Sequence, residues 1–170
     1  MINKSHREGG FSLFLSTHSQ QLCTTFCFVC SVVYLYNLYM QKDFKLWFEK
    51  KFIVNEKDSR VLFHEREVWF SHIGINIGFE EDGKGEAFGR PIVIFRKFNN
   101  EIFWAVPLTT THKTGRFYVE INLGDGVYRT TILSQLRLSD AKRLYQKLGV
   151  INEETHRLIE NKIINLCQGK

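Results

Sequence analysis

Two apolar segments joined by an Asn-Asn pair constrain this chain more than any other feature of its sequence. Residues 92–98 and 102–106 flank Asn99-Asn100, which suits a tight hairpin turn because Asn tolerates the positive φ that such turns need. A hairpin centred on this pair places Arg90 directly opposite Thr109. Opposed residues of an antiparallel pair share a face, with Cβ atoms about 4.5–5.5 Å apart. The sequence therefore predicts that a guanidinium and a hydroxyl meet at the open end of a hairpin, where a phosphate could bind.

Further strands are predicted on both sides of this hairpin. Residues 67–75 form one candidate, which ends in the Gly-punctuated, acidic sequence 78–89 that is typical of a long loop. Residues 117–123 and 127–133 flank Gly124-Asp125-Gly126, which favours a second hairpin. The two runs of the first hairpin are apolar on both faces, as expected of strands that are covered on both sides or lie in a dimer interface.

Three helices are predicted around the strands. The first begins after Asp43 and would turn one apolar stripe toward the domain, formed by Phe44, Trp47, Phe48 and Phe52. Ser139 can cap a second helix that stops at Gly149, and Asn152 can cap a third. Five short antiparallel strands with helices indicate a mainly β fold with helices (α+β). This would be a small barrel with an N-terminal helix and two C-terminal helices.

The first 39 residues differ from the rest of the chain, because residues 22–39 are mostly apolar and carry no formal charge. Three interpretations stay open: the apolar region of a signal peptide, a short and rather polar membrane span, or sequence upstream of a true start at Met40. The abrupt change in composition at Met40 favours the last and predicts a domain over residues 40–170. That domain has one thiol, Cys167, which suits a reducing cytoplasm. We therefore expect a cytoplasmic protein, with membrane association only if residues 22–39 are translated.

Charge and missing motifs narrow the function classes. The formal net charge of +5 suits a polyanionic partner, although many basic proteins bind no nucleic acid. The sequence has no GxSxG elbow, P-loop, dinucleotide-binding fingerprint or HExxH motif, and no Cys and His residues at zinc spacing. We therefore expect neither a metal nor a cofactor.

Arg90 is the first candidate for a functional residue. Pro91 disfavours the α region for its predecessor, so the Arg90 backbone is held extended. On its own, this arginine could simply pair with a carboxylate such as Glu86. With Thr109 opposite, the guanidinium and the hydroxyl together suit a phosphate site.

Two polar segments at strand ends supply the other candidates. A loop that follows the second strand of the hairpin contains Thr110, His112 and Lys113, and functional residues often lie on such loops. Ordinary turn chemistry is the alternative for its hydroxyls. After the fifth strand, Gln135 and Arg137 share a face if the segment is extended, and they could contact phosphates or base edges. The alternative there is a solvated strand end.

These segments together resemble the MazF/PemK family of toxin–antitoxin endoribonucleases. The resemblance rests on R-P before an apolar strand (90–95), V-P-L-T-T (106–110) and S-Q-L-R-L-S-D (134–140), and it covers about residues 40–170. It implies an SH3-like barrel that forms a homodimer, cleaves single-stranded RNA sequence-selectively without a metal, and is restrained by a partner antitoxin. Promoter DNA would be bound only through the antitoxin complex. The long acidic loop before Arg90 and the first 39 residues depart from the family pattern.

The resemblance also implies roles for the candidate residues. Arg90 and Thr109 match the family's catalytic arginine and threonine, and the implied reaction is attack of a ribose 2′-OH on the adjacent phosphorus. Gln135 and Arg137 correspond to the family's glutamine and arginine after the fifth strand. Together with the loop residues Thr110, His112 and Lys113, they are the predicted RNA contacts. Two other classes stay open, a non-enzymatic toxin on the same scaffold that binds DNA gyrase and a barrel that binds RNA without cutting it.

Overall fold

One antiparallel sheet organises the chain, and the computed structural model describes residues 42–169 of it. Within this range the helices are α1 (Phe44–Asn55) and α2 (Glu153–Cys167). The strands are β1 (Glu67–His72), β2 (Gly89–Lys97), β3 (Ile102–Thr109), β4 (Tyr118–Asn122), β5 (Tyr128–Ile132), β6 (Arg137–Asp140) and β7 (Leu144–Val150). Neighbouring strands follow the order β4-β5-β3-β2-β1-β7, and β6 pairs with β3. The predicted mainly β fold with helices is confirmed; the sheet is open at β4 and β7, so it matches the expected barrel only loosely.

Both faces of β2 are buried because its alternating side chains enter two separate hydrophobic clusters. Val93 lies in the cluster that contains Ile159 of α2. Ile92 and Ile94 lie in the other, together with Trp69 of β1. Full burial of one such aliphatic side chain stabilises the fold by about 1.5–3 kcal/mol. The apolar run on both faces of β2 therefore reflects coverage from two sides within one chain.

The β2–β3 hairpin has the predicted register at its open end but a different turn. The Asn99 side chain accepts hydrogen bonds from two following backbone amides, and near the turn Lys97 pairs with Phe103, one residue out of the predicted register. A β-bulge between Ile94 and Arg96 inserts one extra residue into β2. Beyond the bulge, Ile92 pairs with Pro107 as predicted. Arg90 and Thr109 each lie two residues beyond this last pair, at the open end of the hairpin.

The segment predicted as the first of two C-terminal helices is instead two strands joined by a 3₁₀ turn, so that prediction is wrong. Ser139 is buried in β6 opposite Phe103 and caps nothing. Asp140 caps the short 3₁₀ turn Ala141–Arg143, and Gly149 lies within β7. Local helix propensity is a weak preference, which pairing with β1 and β3 overrides here.

The other two predicted helices are present. In α2, Asn152 Oδ1 accepts a hydrogen bond from the Thr155 amide at 2.7 Å, and two glutamates occupy the first turn, where the helix dipole favours acidic side chains. In α1, Asp43 Oδ1 accepts from the Leu46 amide at 2.9 Å. The cap at Asn152 is therefore the predicted one, and α1 begins directly after Asp43 as predicted.

The face on which α1 packs differs from the prediction. Trp47 and Val54 are its buried residues, whereas the rest of the predicted stripe is exposed: Phe44, Phe48 and Phe52. Apolar residues surround most of this helix, so periodicity alone cannot single out the packed side. The Trp47 ring is accommodated by Gly74, where a Cβ atom would lie 2.1 Å from the ring.

The predictions for residues 1–39 lie outside the described residues. No helix within residues 42–169 is long and apolar enough to cross a membrane. Cys167, at the end of α2, is exposed and forms no disulfide with the described part of the chain.

Candidate functional site

Arg90 lies at the open end of the β2–β3 hairpin, on the same face of β2 as Ile92. Its backbone pairs with Ser71 of β1 on one side. On the other side its guanidinium reaches β3, where Nη1 donates a hydrogen bond to the carbonyl oxygen of Leu108 at 3.1 Å. Leu108 directly precedes Thr109, so the guanidinium and the Thr109 backbone are neighbours.

Two groups of the preceding loop complete the surroundings of the guanidinium. Nε donates to the carbonyl oxygen of Asp82 at 2.7 Å, and Nη2 forms an ion pair with Glu81 Oε2 at 2.8 Å. The Arg90 side chain is only 11% exposed. The sequence alternative, an ion pair with a carboxylate, is thus present, but Glu86 is the wrong partner. Glu86 is exposed, and the loop folds back to present Glu81 instead.

Two glycines close the base of the loop that precedes Arg90. The Gly83 amide donates to the Gly74 carbonyl at 2.7 Å, and the Gly74 amide donates to the Phe88 carbonyl at 3.1 Å. A Cβ atom on Gly83 would lie 1.8 Å from the Phe88 carbonyl oxygen, so this close approach requires glycine. The base of the loop is therefore fixed by backbone contacts.

The tip of this loop comprises residues 76–82, which we call the acidic loop. Hydrogen bonds join its first residue to its last two. The Asn76 amide donates to Asp82 Oδ1 at 2.6 Å, and Asn76 Nδ2 donates to the Glu81 carbonyl at 2.7 Å. The Phe79 side chain is fully exposed. Because its aromatic residue is not buried, the tip gains little stability from the hydrophobic effect.

Thr109 ends β3 and is half-buried, opposite Thr130 of β5. Its Oγ1 accepts a hydrogen bond from the Thr111 amide at 3.2 Å, as in an ordinary polar turn. A threonine hydroxyl can accept and donate at once, so the Thr109 proton can still be given to a ligand oxygen. Thr109 and Arg90 thus supply a hydroxyl donor and a guanidinium donor at the open end of the β2–β3 hairpin.

Gln135 and Arg137 have different surroundings. Gln135 contacts the acidic loop: its Oε1 accepts from the Glu81 amide at 3.4 Å, and its Nε2 donates to the Phe79 carbonyl at 3.2 Å. Arg137 pairs with Ala105, four residues before the end of β3, which is about 13 Å along a strand. The structure therefore brings Gln135, but not Arg137, to the loop that covers Arg90.

The three remaining candidates lie on the loop between β3 and β4. Thr110 and His112 are exposed, and His112 Nε2 lies 4.0 Å from Glu120 Oε2. The Lys113 ammonium lies 5.6 Å from the centre of the Tyr118 ring. These contacts are with β4, so the loop extends the surface beside Thr109 without touching Arg90.

Sequence reasoning missed two residues next to Arg90. The sequence places Glu81 only within the acidic loop sequence 78–89, because nothing in the local sequence indicates that the loop folds back. Ser71 is 1% exposed, shares a face with Arg90 through strand pairing, and its hydroxyl has no hydrogen-bond partner within residues 42–169. Its small size inside an apolar strand is the one signal that could have suggested a site.

A second polar group lies on the opposite face of β1. Burial lowers the pKa of His72, whose Nδ1 lies 2.7 Å from the Ala87 carbonyl oxygen and whose ring stacks on Tyr145 at 4.5 Å. Burial also raises the pKa of the Tyr145 hydroxyl. Within residues 42–169, no group of three or more His, Cys, Asp or Glu side chains is placed to hold a metal ion.

Comparison with known proteins finds similar solved structures and no sequence match. No protein-family model and no curated protein matches the chain. MazF (Form-I) from Deinococcus radiodurans is 18% identical with a TM-score of 0.48, covering 66% of this chain and 100% of that chain. An endoribonuclease in complex with its cognate antitoxin from Mycobacterial species is 17% identical with a TM-score of 0.46, covering 62% and 93%. An Mtb toxin is 16% identical with a TM-score of 0.41, covering 45% and 90%.

Proposed function

We propose that this protein is the toxin of a toxin–antitoxin pair, an endoribonuclease that cleaves single-stranded RNA sequence-selectively and without a metal. The position of Arg90 carries the proposal. Its mostly buried guanidinium lies at the open end of a hairpin and contacts the backbone next to Thr109. A guanidinium beside a hydroxyl is suited to a phosphate, and the motifs that resemble the MazF/PemK family support the same assignment.

The proposed reaction is a transesterification within the RNA chain. The ribose 2′-OH attacks the adjacent phosphorus, the bond to the 5′-oxygen breaks, and a 2′,3′-cyclic phosphate and a 5′-hydroxyl remain. DNA lacks the attacking hydroxyl and is not cut. Arg90 would hold the phosphoryl oxygens and stabilise their developing charge, since an arginine does not readily give up its proton. Thr109 would donate a hydrogen bond to the same phosphate or orient the 2′-OH.

The proposed partners follow from the motif resemblance. The enzyme would be a cytoplasmic homodimer whose activity a cognate antitoxin restrains, and promoter DNA would be bound only through the antitoxin complex. RNA beyond the cleaved phosphate would contact the loop that contains Thr110, His112 and Lys113. Further RNA contacts would come from Gln135 and Arg137. His112 is the histidine nearest to Thr109 in the sequence, and it is a secondary candidate for proton transfer.

Cleavage of purified single-stranded RNA in excess EDTA tests the proposal. We expect the wild-type protein to cut the RNA and leave cyclic phosphate ends. Arg90→Ala and Thr109→Ala should each lower the rate by about 10²–10³, as removal of one preorganised transition-state donor does. Arg96→Ala is the matched control, because Arg96 is on the same strand but 59% exposed. Activity that EDTA abolishes would contradict the metal-free reaction.

Binding and inhibition assays separate the competing classes. RNA that shifts on a gel but stays intact would indicate a non-cleaving RNA-binding protein. Inhibition of DNA gyrase without any effect on RNA would indicate a gyrase-binding toxin. Equal loss of activity in Arg90→Ala and Arg96→Ala would contradict a special role for Arg90.

A further inference from the structure

The Arg90 guanidinium already holds an anion. Each of its three nitrogens has a protein acceptor: Nη1 contacts the Leu108 carbonyl, Nε contacts the Asp82 carbonyl and Nη2 contacts the Glu81 carboxylate. A phosphate that binds arginine as a fork uses either Nε with Nη2 or Nη1 with Nη2. Both edges include Nη2. An RNA phosphate and the Glu81 carboxylate therefore compete for the same part of Arg90.

The loop that delivers Glu81 is built to open at its tip and not at its base. Backbone contacts between Gly83 and Gly74 fix the base. At the tip, the short contacts of Asn76 join residues within the acidic loop and can move with it. The contacts of Gln135 with the loop are 3.2 and 3.4 Å long, and Phe79 is fully exposed. Segments with little apolar burial open at low free-energy cost. The tip can therefore lift from Arg90 while the base stays closed.

We propose that Glu81 acts as an internal mimic of the RNA phosphate and keeps the site closed until RNA displaces it. This inference rests on the proposed function. The carboxylate of Glu81 contacts Nη2, the nitrogen that both phosphate-binding edges of Arg90 share, and the neighbouring carboxylates of the acidic loop repel a polyanion. In this role Gln135 secures the acidic loop over Arg90, in addition to any contact it makes with RNA.

Binding of an uncleavable 2′-O-methyl RNA oligonucleotide, measured by fluorescence anisotropy, tests the inference. Glu81→Gln keeps the shape of the side chain but removes the competing charge. We expect it to lower Kd by about tenfold, the equivalent of one charge-assisted hydrogen bond. Glu80→Gln is the matched control, because it removes the same charge from the same loop while Glu80 faces the Ile77 amide at 3.4 Å. Its Kd should stay within about twofold of wild type.

The double variant shows whether the effect acts through Arg90. In an Arg90→Ala background, Glu81→Gln should no longer tighten binding, because the shared edge is gone. Equal tightening by Glu80→Gln, or tightening that persists without Arg90, would overturn the inference in favour of general charge repulsion. Wild-type binding that Glu81→Gln leaves unchanged would overturn the inference alone. Absence of RNA binding in every form would overturn the proposed function as well.

Hydrogen exchange supplies a readout that does not depend on RNA. If the ion pair secures the acidic loop, Glu81→Gln should speed exchange of backbone amides in residues 76–82 relative to wild type and to Glu80→Gln. Amides at the base of the loop, such as that of Gly83, should exchange as before. Unchanged exchange across residues 76–82 would overturn the closed-loop inference.

Discussion

Glu67 is a buried carboxylate whose charge is balanced by donors from three parts of the chain. Lys147 of β7 forms an ion pair with Oε1, and Oε2 accepts from Trp69 Nε1 at 2.8 Å and from the His64 amide at 3.0 Å. Burial opposes ionisation, but these hydrogen bonds and the Lys147 charge outweigh it, so the pKa of Glu67 is lowered. Glu67 therefore ties the edge strand β7 to β1 as long as it is ionised.

The lowered pKa of Glu67 predicts a pH-dependent contribution to stability. The contribution is fully present above the ordinary pKa of an unfolded glutamate and disappears as the pH falls through the lower folded-state pKa. At pH 7, Glu67→Gln should lower the free energy of unfolding by about 1–3 kcal/mol. Urea denaturation at pH 7 and at pH 3 measures the difference, which should shrink at pH 3. Glu160→Gln, an exposed carboxylate on α2, is the control. A difference that is equal at both pH values would contradict the ionised role.

The candidate site was predictable where strand pairing determined it. Arg90 and Thr109 could be placed at the same end of the hairpin because strand pairing brings the two strands together, although the turn and the bulge both differ from the prediction. Glu81 could not, because its position depends on a loop closed by contacts of Gly74 and Gly83, and such contacts have no periodic signature. Glu81, whose ion pair changes the interpretation of Arg90 most, is thus a residue that the local sequence could not place.

At the scale of elements, the β2–β3 hairpin shows that two deviations can cancel. The turn at Asn99 contains one residue more than a two-residue turn, and the bulge in β2 adds another on the other strand. The register at the open end is therefore the predicted one. The segment 137–150 was predicted as a helix but forms β6 and β7. One face of these strands is exposed, so their mixture of polar and apolar residues resembles that of an amphipathic helix. Pairing partners, which the local sequence does not contain, decide between the two.

A substitution at Gly83 tests whether the close backbone contact at the base of the loop contributes to stability. Gly83→Ala would place a Cβ atom 1.8 Å from the Phe88 carbonyl oxygen, so the base of the loop must shift. We expect a loss of about 1–3 kcal/mol in the free energy of unfolding, as in other overpacked sites. Gly149→Ala is the control, because its Cβ would meet Leu123 at an ordinary 3.6 Å. Equal stability of the two variants in urea denaturation would contradict the close approach at Gly83.

At the scale of the whole molecule, the fold class was predictable because β1, β2 and β3 carry strong apolar runs, whereas the strand order was not. The path β4-β5-β3-β2-β1-β7 depends on long-range pairing, as does the addition of β6 beside β3. The net charge of +5 was equally readable from the sequence, but it does not say where an anion binds. Affinity for RNA could come from the total charge of the molecule or from the surface beside Arg90 and Thr109, and these two sources predict different effects of single substitutions.

The salt dependence of RNA binding distinguishes these two sources of affinity. For single strands, log Kobs changes with log salt concentration by about 0.7 for each phosphate contact. Lys113 lies on the loop that continues from Thr109, so Lys113→Gln should weaken binding of the 2′-O-methyl oligonucleotide and reduce the slope by about 0.7. Arg157→Gln removes the same charge from α2, where Arg157 pairs with Glu153, and should leave the slope unchanged. Anisotropy titrations at several salt concentrations measure both slopes. If both substitutions reduced the slope alike, RNA would be responding to the total charge of the molecule and not to the surface beside Thr109.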